Sequence, residues 1–161
     1  VADDDDVLDL QVFDRELAAS GAALVAACDW AVQRRADVVN LSLGTRNPDH
    51  GPALTGAVRR MRRSGAVVVA AGVQDGVSWL PGTLPGVWRV TLDWSVPRDQ
   101  CRVVIDGGAV AFLASGFPRP IPGVPPERNL KGLSFAVANV TGLVAALYDR
   151  ATASCRDDTS R

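Results

Sequence analysis

Hydrophobic positions along this chain fall into two patterns. Short apolar runs at Val7 to Phe13, Asp37 to Leu41, Ala66 to Ala71 and Val87 to Leu92 predict strands. Asp37-Val38-Val39-Asn40-Leu41 and Ala66-Val67-Val68-Val69-Ala70-Ala71 are rich in valine and read as strands buried on both faces, as in a parallel sheet. Between the runs the period changes. Gly21 to Arg35 places Ala23, Leu24, Ala27, Cys28 and Ala31 at helical spacing. Ala53 to Ser64 places Leu54, Val58 and Met61 on one side of a second helix, and Gly65 stops it. Arg59, Arg60, Arg62 and Arg63 cover the rest of that helix and predict a solvated face.

Strands alternating with helices at this rhythm predict an α/β domain, its sheet mostly parallel with right-handed crossovers. The pattern changes after Asp93. Arg102 to Ile105 and Ala109 to Leu113 flank Asp106-Gly107-Gly108, a hairpin signal. A proline-rich irregular loop, Pro118 to Pro126, follows. The last predicted helix, Ser134 to Thr152, puts Ala136, Val140, Leu143, Val144 and Leu147 on one face. The domain is expected over residues 1–153, with a polar tail at 154–161; neither an internal repeat nor a domain linker interrupts it.

Composition narrows the partners. Of 161 residues, 17 are basic and 18 acidic, for a net charge of −1, so neither nucleic acid nor anionic membrane is an expected partner. Apolar runs fall short of the roughly 20 residues that a membrane helix needs. No basic-then-apolar signal segment opens the chain, and three widely spaced cysteines form no zinc pattern. An odd cysteine count favours a reducing compartment; the compartment itself is left open, with the lack of a visible signal segment favouring a cytoplasmic setting. Cys28 reads as buried. Asp3-Asp4-Asp5-Asp6 reads as a solvated acidic lead-in and not as a cation site, and no metal or cofactor is expected.

Several segments, in order, resemble the later part of the subtilisin-like serine peptidase family. They are Val12-Phe13-Asp14, Asp29-Trp30-Ala31 with Ala36 to Gly44, Gly65 to Gly72, Leu80-Pro81-Gly82 with Leu84 to Val87, Ala114-Ser115-Gly116, and Gly132-Leu133-Ser134-Phe135-Ala136. The resemblance runs from about Val12 to Leu147. It implies a partial three-layer subtilisin-like fold, a mostly parallel sheet with flanking helices and the C-terminal hairpin. It also implies that Ser134 stands where the family has its nucleophile and that Ser42-Leu43-Gly44 stands where the family binds substrate. A serine at a helix N-terminus lies beside backbone N–H groups and a positive dipole end, which stabilise an oxyanion formed there. By the helix pattern alone, Ser134 reads first as a helix N-cap, and it is the ordered motifs that favour the nucleophile position.

Departures from the family are as informative. Its catalytic aspartate and histidine lie on segments that would precede Val7. The lone histidine, His50, sits in a loop that reads as surface and does not match the family's base. Asp14 and Asp37 do not match the catalytic aspartate. The oxyanion asparagine position holds Val73, which has no side-chain donor, and Gln74 is next to it. Leu133 and Ala138 replace the threonine and proline usual around the serine. Two functions follow. One is a serine endopeptidase that hydrolyses peptide bonds through an acyl-enzyme on Ser134, inactive as an isolated chain, with base and aspartate supplied from elsewhere, for example by a complementary chain. The other is a catalytically degenerate relative that binds a peptide or protein.

Overall fold

The computed structural model describes residues 7–13, 19–106, 108–125 and 128–158. Helix α1 spans Gly21–Gln33, and Ser20 caps it by accepting from the Ala23 backbone N–H at 3.0 Å. Strand β1, Val38–Leu41, leads through a short 3-10 turn, Pro48–His50, into helix α2, Gly51–Arg63. Pro52 suits the first turn of α2, where its missing N–H is not needed. Strand β2, Val67–Ala71, is followed by a small ribbon of β3, Val73–Gln74, and β4, Val77–Ser78. Strands β5, Trp88–Leu92, β6, Cys101–Asp106, and β7, Ala109–Ala114, complete the sheets, and the long helix α3, Leu133–Asp158, closes the fold.

The main sheet has strand order β1-β2-β5-β7-β6. All its neighbours run parallel except β6, which pairs antiparallel with β7 across the expected hairpin. Two apolar clusters lie on opposite faces of this sheet, because side chains alternate along each strand. On one face Val68 and Ala70 meet Leu24 and Cys28 of α1 and Leu54, Ala57, Val58 and Met61 of α2. On the other, Val69, Ala71, Val90, Phe112 and Ala114 meet Leu133, Ala136, Val137, Val140 and Val144 of α3. The result is a three-layer α/β arrangement. Arg60 of α2 also reaches Asp29 of α1 at 2.7 Å, an exposed ion pair that adds little beside the packing.

Four sequence expectations need correction. Val7 to Phe13 forms no strand; Val7, Leu8, Leu10 and Phe13 are exposed and take no place in the ladder. An isolated extended run gains nothing until a neighbouring strand pairs with it, so β propensity alone does not decide. Strand β1 is parallel to β2, as expected, but lies at the sheet edge and is half-buried, with Asn40 exposed. Leu147 is 64% exposed although its spacing placed it on the apolar face of α3. Helical spacing gives direction only, and among the described side chains the buried residues of α3 end at Val144. Finally, α3 continues to Asp158, beyond the expected end at Thr152.

Two glycines hold the sheet's outgoing loops in place. A Cβ on Gly82 would lie 1.7 Å from the Ala71 carbonyl oxygen, so only glycine lets this loop cross the end of β2. A Cβ on Gly116 would meet Leu92 Cδ1 at 2.5 Å and the Gly132 carbonyl oxygen at 2.9 Å. The second contact matters for the site, because Gly132 is the residue that turns the chain into α3.

Candidate active site

Gly132 has φ +152° and bonds its N–H to the Gly116 carbonyl at 2.9 Å. Its own carbonyl accepts from Phe135 and Ala136. This clamp brings Ala114-Ser115-Gly116 against the start of α3, two segments that are separate in sequence. Asn139 fastens them from the helix side, its Nδ2 donating to the carbonyls of Ser115 and Phe117, both at 3.0 Å. Ser115 is 2% exposed, so its carbonyl satisfies a buried acceptor through this bond. Asn139 was not singled out by sequence reasoning. An amide three residues beyond the buried Ala136 carries no signal until the loop that it holds is known.

Ser134 lies in the first turn of α3 and is exposed. Its hydroxyl donates to the Ser42 carbonyl at 3.4 Å, and the Ser42 hydroxyl donates to the Ser134 carbonyl at 3.1 Å. The two serines, 92 residues apart in sequence, therefore face each other. Behind Ser42 stands Asn40, which donates from Nδ2 to Ser42 Oγ at 3.0 Å. Asn40 Oδ1 accepts from Thr141 Oγ1 at 3.0 Å. Thr141 and Ser134 are both on α3, so the chain Thr141–Asn40–Ser42–Ser134 closes a loop between α3 and the strand edge. Sequence reasoning also passed over Asn40 and Thr141; the polar Asn40 within an apolar strand was the one visible sign.

Leu43 and Gly44 continue from Ser42 along the same segment. Thr45 pairs with Leu80 as an antiparallel bridge, with both backbone bonds at 2.9 Å. A Cβ on Gly44 would lie 2.8 Å from the Leu80 carbonyl oxygen, so this segment needs glycine where the 79–80 backbone closes on it.

Val73 and Gln74 form β3, one arm of the ribbon with β4. Asp75 and Gly76, at φ 51° and 75°, make the turn between the arms. Two residues at positive φ give a type I′ turn, for which Asp-Gly is a strong sequence signal. That signal was available and would have identified the ribbon. Gln74 Nε2 donates to Asp75 Oδ2 at 3.5 Å. Among the described residues, no hydrogen bond joins Val73 or Gln74 to Ser134.

His50 is not on an open surface loop, as its neighbours Asn47, Pro48 and Gly51 suggested, but half-buried. Its ring lies over the start of α1, where a Cβ on Gly21 would meet Nδ1 at 2.6 Å. It lines a cleft of about 160 Å³ with Ser20, Gly21, Leu43, Gly44 and Thr45. That is the α1–α2 layer, across the sheet from α3. Asp37 is further removed. Tyr148 bonds to it, and the bond raises the phenol above its ordinary pKa. Tyr148 is fourteen residues along α3 from Ser134, about 21 Å at the helical rise. Neither residue forms a triad with Ser134. Asp14 lies outside the described residues.

Other expectations concern groups away from Ser134. Cys28 is buried, and burial together with the neighbouring Asp29 carboxylate pushes its thiol up to about 11. It is therefore protonated and unreactive near neutral pH. Cys101 is also raised by burial. Among the described residues no cluster of histidine, cysteine and carboxylates could hold a metal, and no helix is long and apolar enough to cross a membrane.

The family model for the subtilase family matches residues 1–92, more than half of the chain. The chain belongs to the subtilase family. Subtilisin DY of Bacillus licheniformis is 42% identical over 62 residues, 38% of this chain and 22% of that relative. Among solved structures, the prenylagaramide maturation protease PagA is similar at 27% identity and TM-score 0.59, over 81% of this chain and 50% of that one. The patellamide maturation protease PatG, at 21% identity and TM-score 0.54, covers 78% of this chain and 40% of its own and shares the fold. The chain spans half or less of the length of these relatives. The subtilase match ends with β5, so Ser134 lies beyond the matched residues.

Proposed function

We propose that this subtilase chain carries the nucleophile and one wall of the peptide cleft of a serine endopeptidase, with Ser134 as nucleophile. The observation that carries this reading is the pairing of Ser134, at the N-terminus of α3, with Ser42 of the Ser42-Leu43-Gly44 segment. In the reaction, Ser134 Oγ attacks the peptide carbonyl carbon and loses its proton to a base. The tetrahedral oxyanion collapses, the amine leaves with that proton, and water then releases the acyl group from Ser134 Oγ. The Ser42-Leu43-Gly44 backbone would pair with an extended substrate as an added strand. The base and its carboxylate come from polypeptide other than the described residues, either further chain or a second protein. A peptide or protein is the substrate.

A specific observation favours a second reading. The Ser134 hydroxyl is directed at a carbonyl and not at an imidazole, and Val73 offers no side-chain donor to an oxyanion. On that reading the cleft binds a peptide or protein without cleaving it. Fluorophosphonate labelling separates the two. Labelling of Ser134 that appears when polypeptide bearing the family's aspartate and histidine segments is supplied, and is lost in Ser134→Ala, supports the peptidase. Peptide binding with no labelling under any such complementation supports the binding module.

A further inference from the structure

The exposed face of α2 has a feature that the chemistry at Ser134 does not use. Thr55, Arg59, Arg62 and Arg63 stand at helical spacing and, with Pro85, line an open groove of about 430 Å³. The fourth arginine of the helix, Arg60, is taken up by Asp29 on the α1 side. Among the described residues, Arg59, Arg62 and Arg63 pair with no carboxylate. Three unneutralised guanidiniums thus share one groove on a chain whose net charge is −1.

The groove is also shaped. Gly86 has φ +84°, and a Cβ there would lie 2.4 Å from Arg62 Nη1 and 2.6 Å from its Cζ. The bare backbone at Gly86 lets the Arg62 side chain lie close against the loop, which places one guanidinium beside the groove wall. Pro85 supplies an apolar wall beside it. Guanidinium forks match carboxylates in a bidentate manner.

We infer that this α2 groove is a docking site for an acidic peptide segment of a partner protein, held by Arg59, Arg62 and Arg63. Arg59 and Arg62–Arg63 are about 4.5–6 Å apart along the helix axis. Alternate side chains of an extended peptide repeat at about 6.6 Å, so two carboxylates on one side of a strand meet two arginine positions. A nucleic-acid backbone is the poorer fit, since it needs a long basic stripe and this patch is a little over one helical turn on a chain of slight negative charge. The inference does not depend on the peptidase reading, because it concerns a separate surface and is read by binding alone.

The test is fluorescence anisotropy of a labelled hexaglutamate peptide titrated with the full chain. Saturable binding at 50 mM NaCl, weakened at least tenfold at 500 mM, is expected. Replacing Arg59, Arg62 and Arg63 together with alanine should weaken binding at least tenfold, with circular dichroism unchanged because all three side chains are exposed. Alanine at Arg119, Arg128 and Arg150, the same change in net charge placed elsewhere, should alter binding less than twofold. Should the triple variant lose its fold, Arg59→Glu alone must still weaken binding at least threefold. Absence of binding overturns the proposal, as does equal loss in both triple variants. Tighter binding of tripolyphosphate or of an oligonucleotide of the same charge also overturns it, by assigning the groove to phosphate.

Discussion

Ser134 and Ser42 exchange hydrogen bonds across the gap between α3 and the end of β1, each hydroxyl donating to the other residue's carbonyl. The pairing places a helix N-terminus beside an exposed backbone segment, the geometry in which an acyl oxyanion and a bound strand can meet. Among the described residues no base reaches the Ser134 hydroxyl, and serine alone is a weak nucleophile near neutral pH. The isolated chain should therefore hydrolyse no generic peptide substrate. Turnover by the pure chain that disappears in Ser134→Ala would contradict this.

Where a supplied aspartate- and histidine-bearing segment does restore turnover, Val73→Asn should raise kcat. One oxyanion donor contributes on the order of a hundredfold to a thousandfold in rate. Steady-state kinetics in that complemented background measure the gain. A rate that stays level or falls would remove Val73 from the oxyanion position.

Asn139→Ala should destabilise the fold by about 1–3 kcal/mol, since it leaves the buried Ser115 carbonyl without its donor. Gly116→Ala should cost a similar about 1–3 kcal/mol by overpacking Leu92 and the Gly132 carbonyl. Urea denaturation reads both. The variants act on the same clamp between the 114–117 loop and α3, so the double variant should be less destabilised than the sum of the two. Strict additivity would show that the clamp is not one unit.

Cys28 sets a pH dependence. Its thiol is raised in the folded state from 9.0 to about 11, so the unfolded chain loses this proton first as pH rises. Its contribution to stability is complete below pH 9 and is lost as pH climbs from 9 to about 11. In Cys28→Ala, stability at neutral pH falls through the cavity, but the alkaline decline should be shallower than in the parent. A parallel decline in both proteins would show that other groups account for it.

Ile105 is 72% exposed and Val103 60%, both on β6, the edge strand opposite β1. Val110 on the neighbouring β7 and Trp88 on β5 beyond it are exposed as well. An unpaired edge with apolar side chains pairs readily with other chains. The chain alone should self-associate with rising concentration, and Ile105→Lys should suppress this by at least several-fold in light scattering. A monodisperse parent that unfolds cooperatively as a monomer would show that the edge is adequately protected.

Much of this protein is written locally in its sequence. The helical spacing of Leu24 with Cys28, and of Leu54 with Val58 and Met61, produced α1 and α2, because a helix makes its backbone bonds within itself. The valine run of β2, the short apolar run of β5 and the two glycines after Asp106 were equally legible, and the order of the short motifs pointed to the subtilase family. Tertiary structure decided the rest. Val7 to Phe13 has strand composition but makes no ladder, because a strand exists only with a neighbour. Leu147 has core spacing but sits beyond the last buried residue among the described side chains of α3. Asn40, Ser42, Ser134 and Thr141 form one network spanning up to 101 residues of sequence. No local pattern encodes such a network, because each bond depends on where the sheet delivers β1 and on how α3 lies across it.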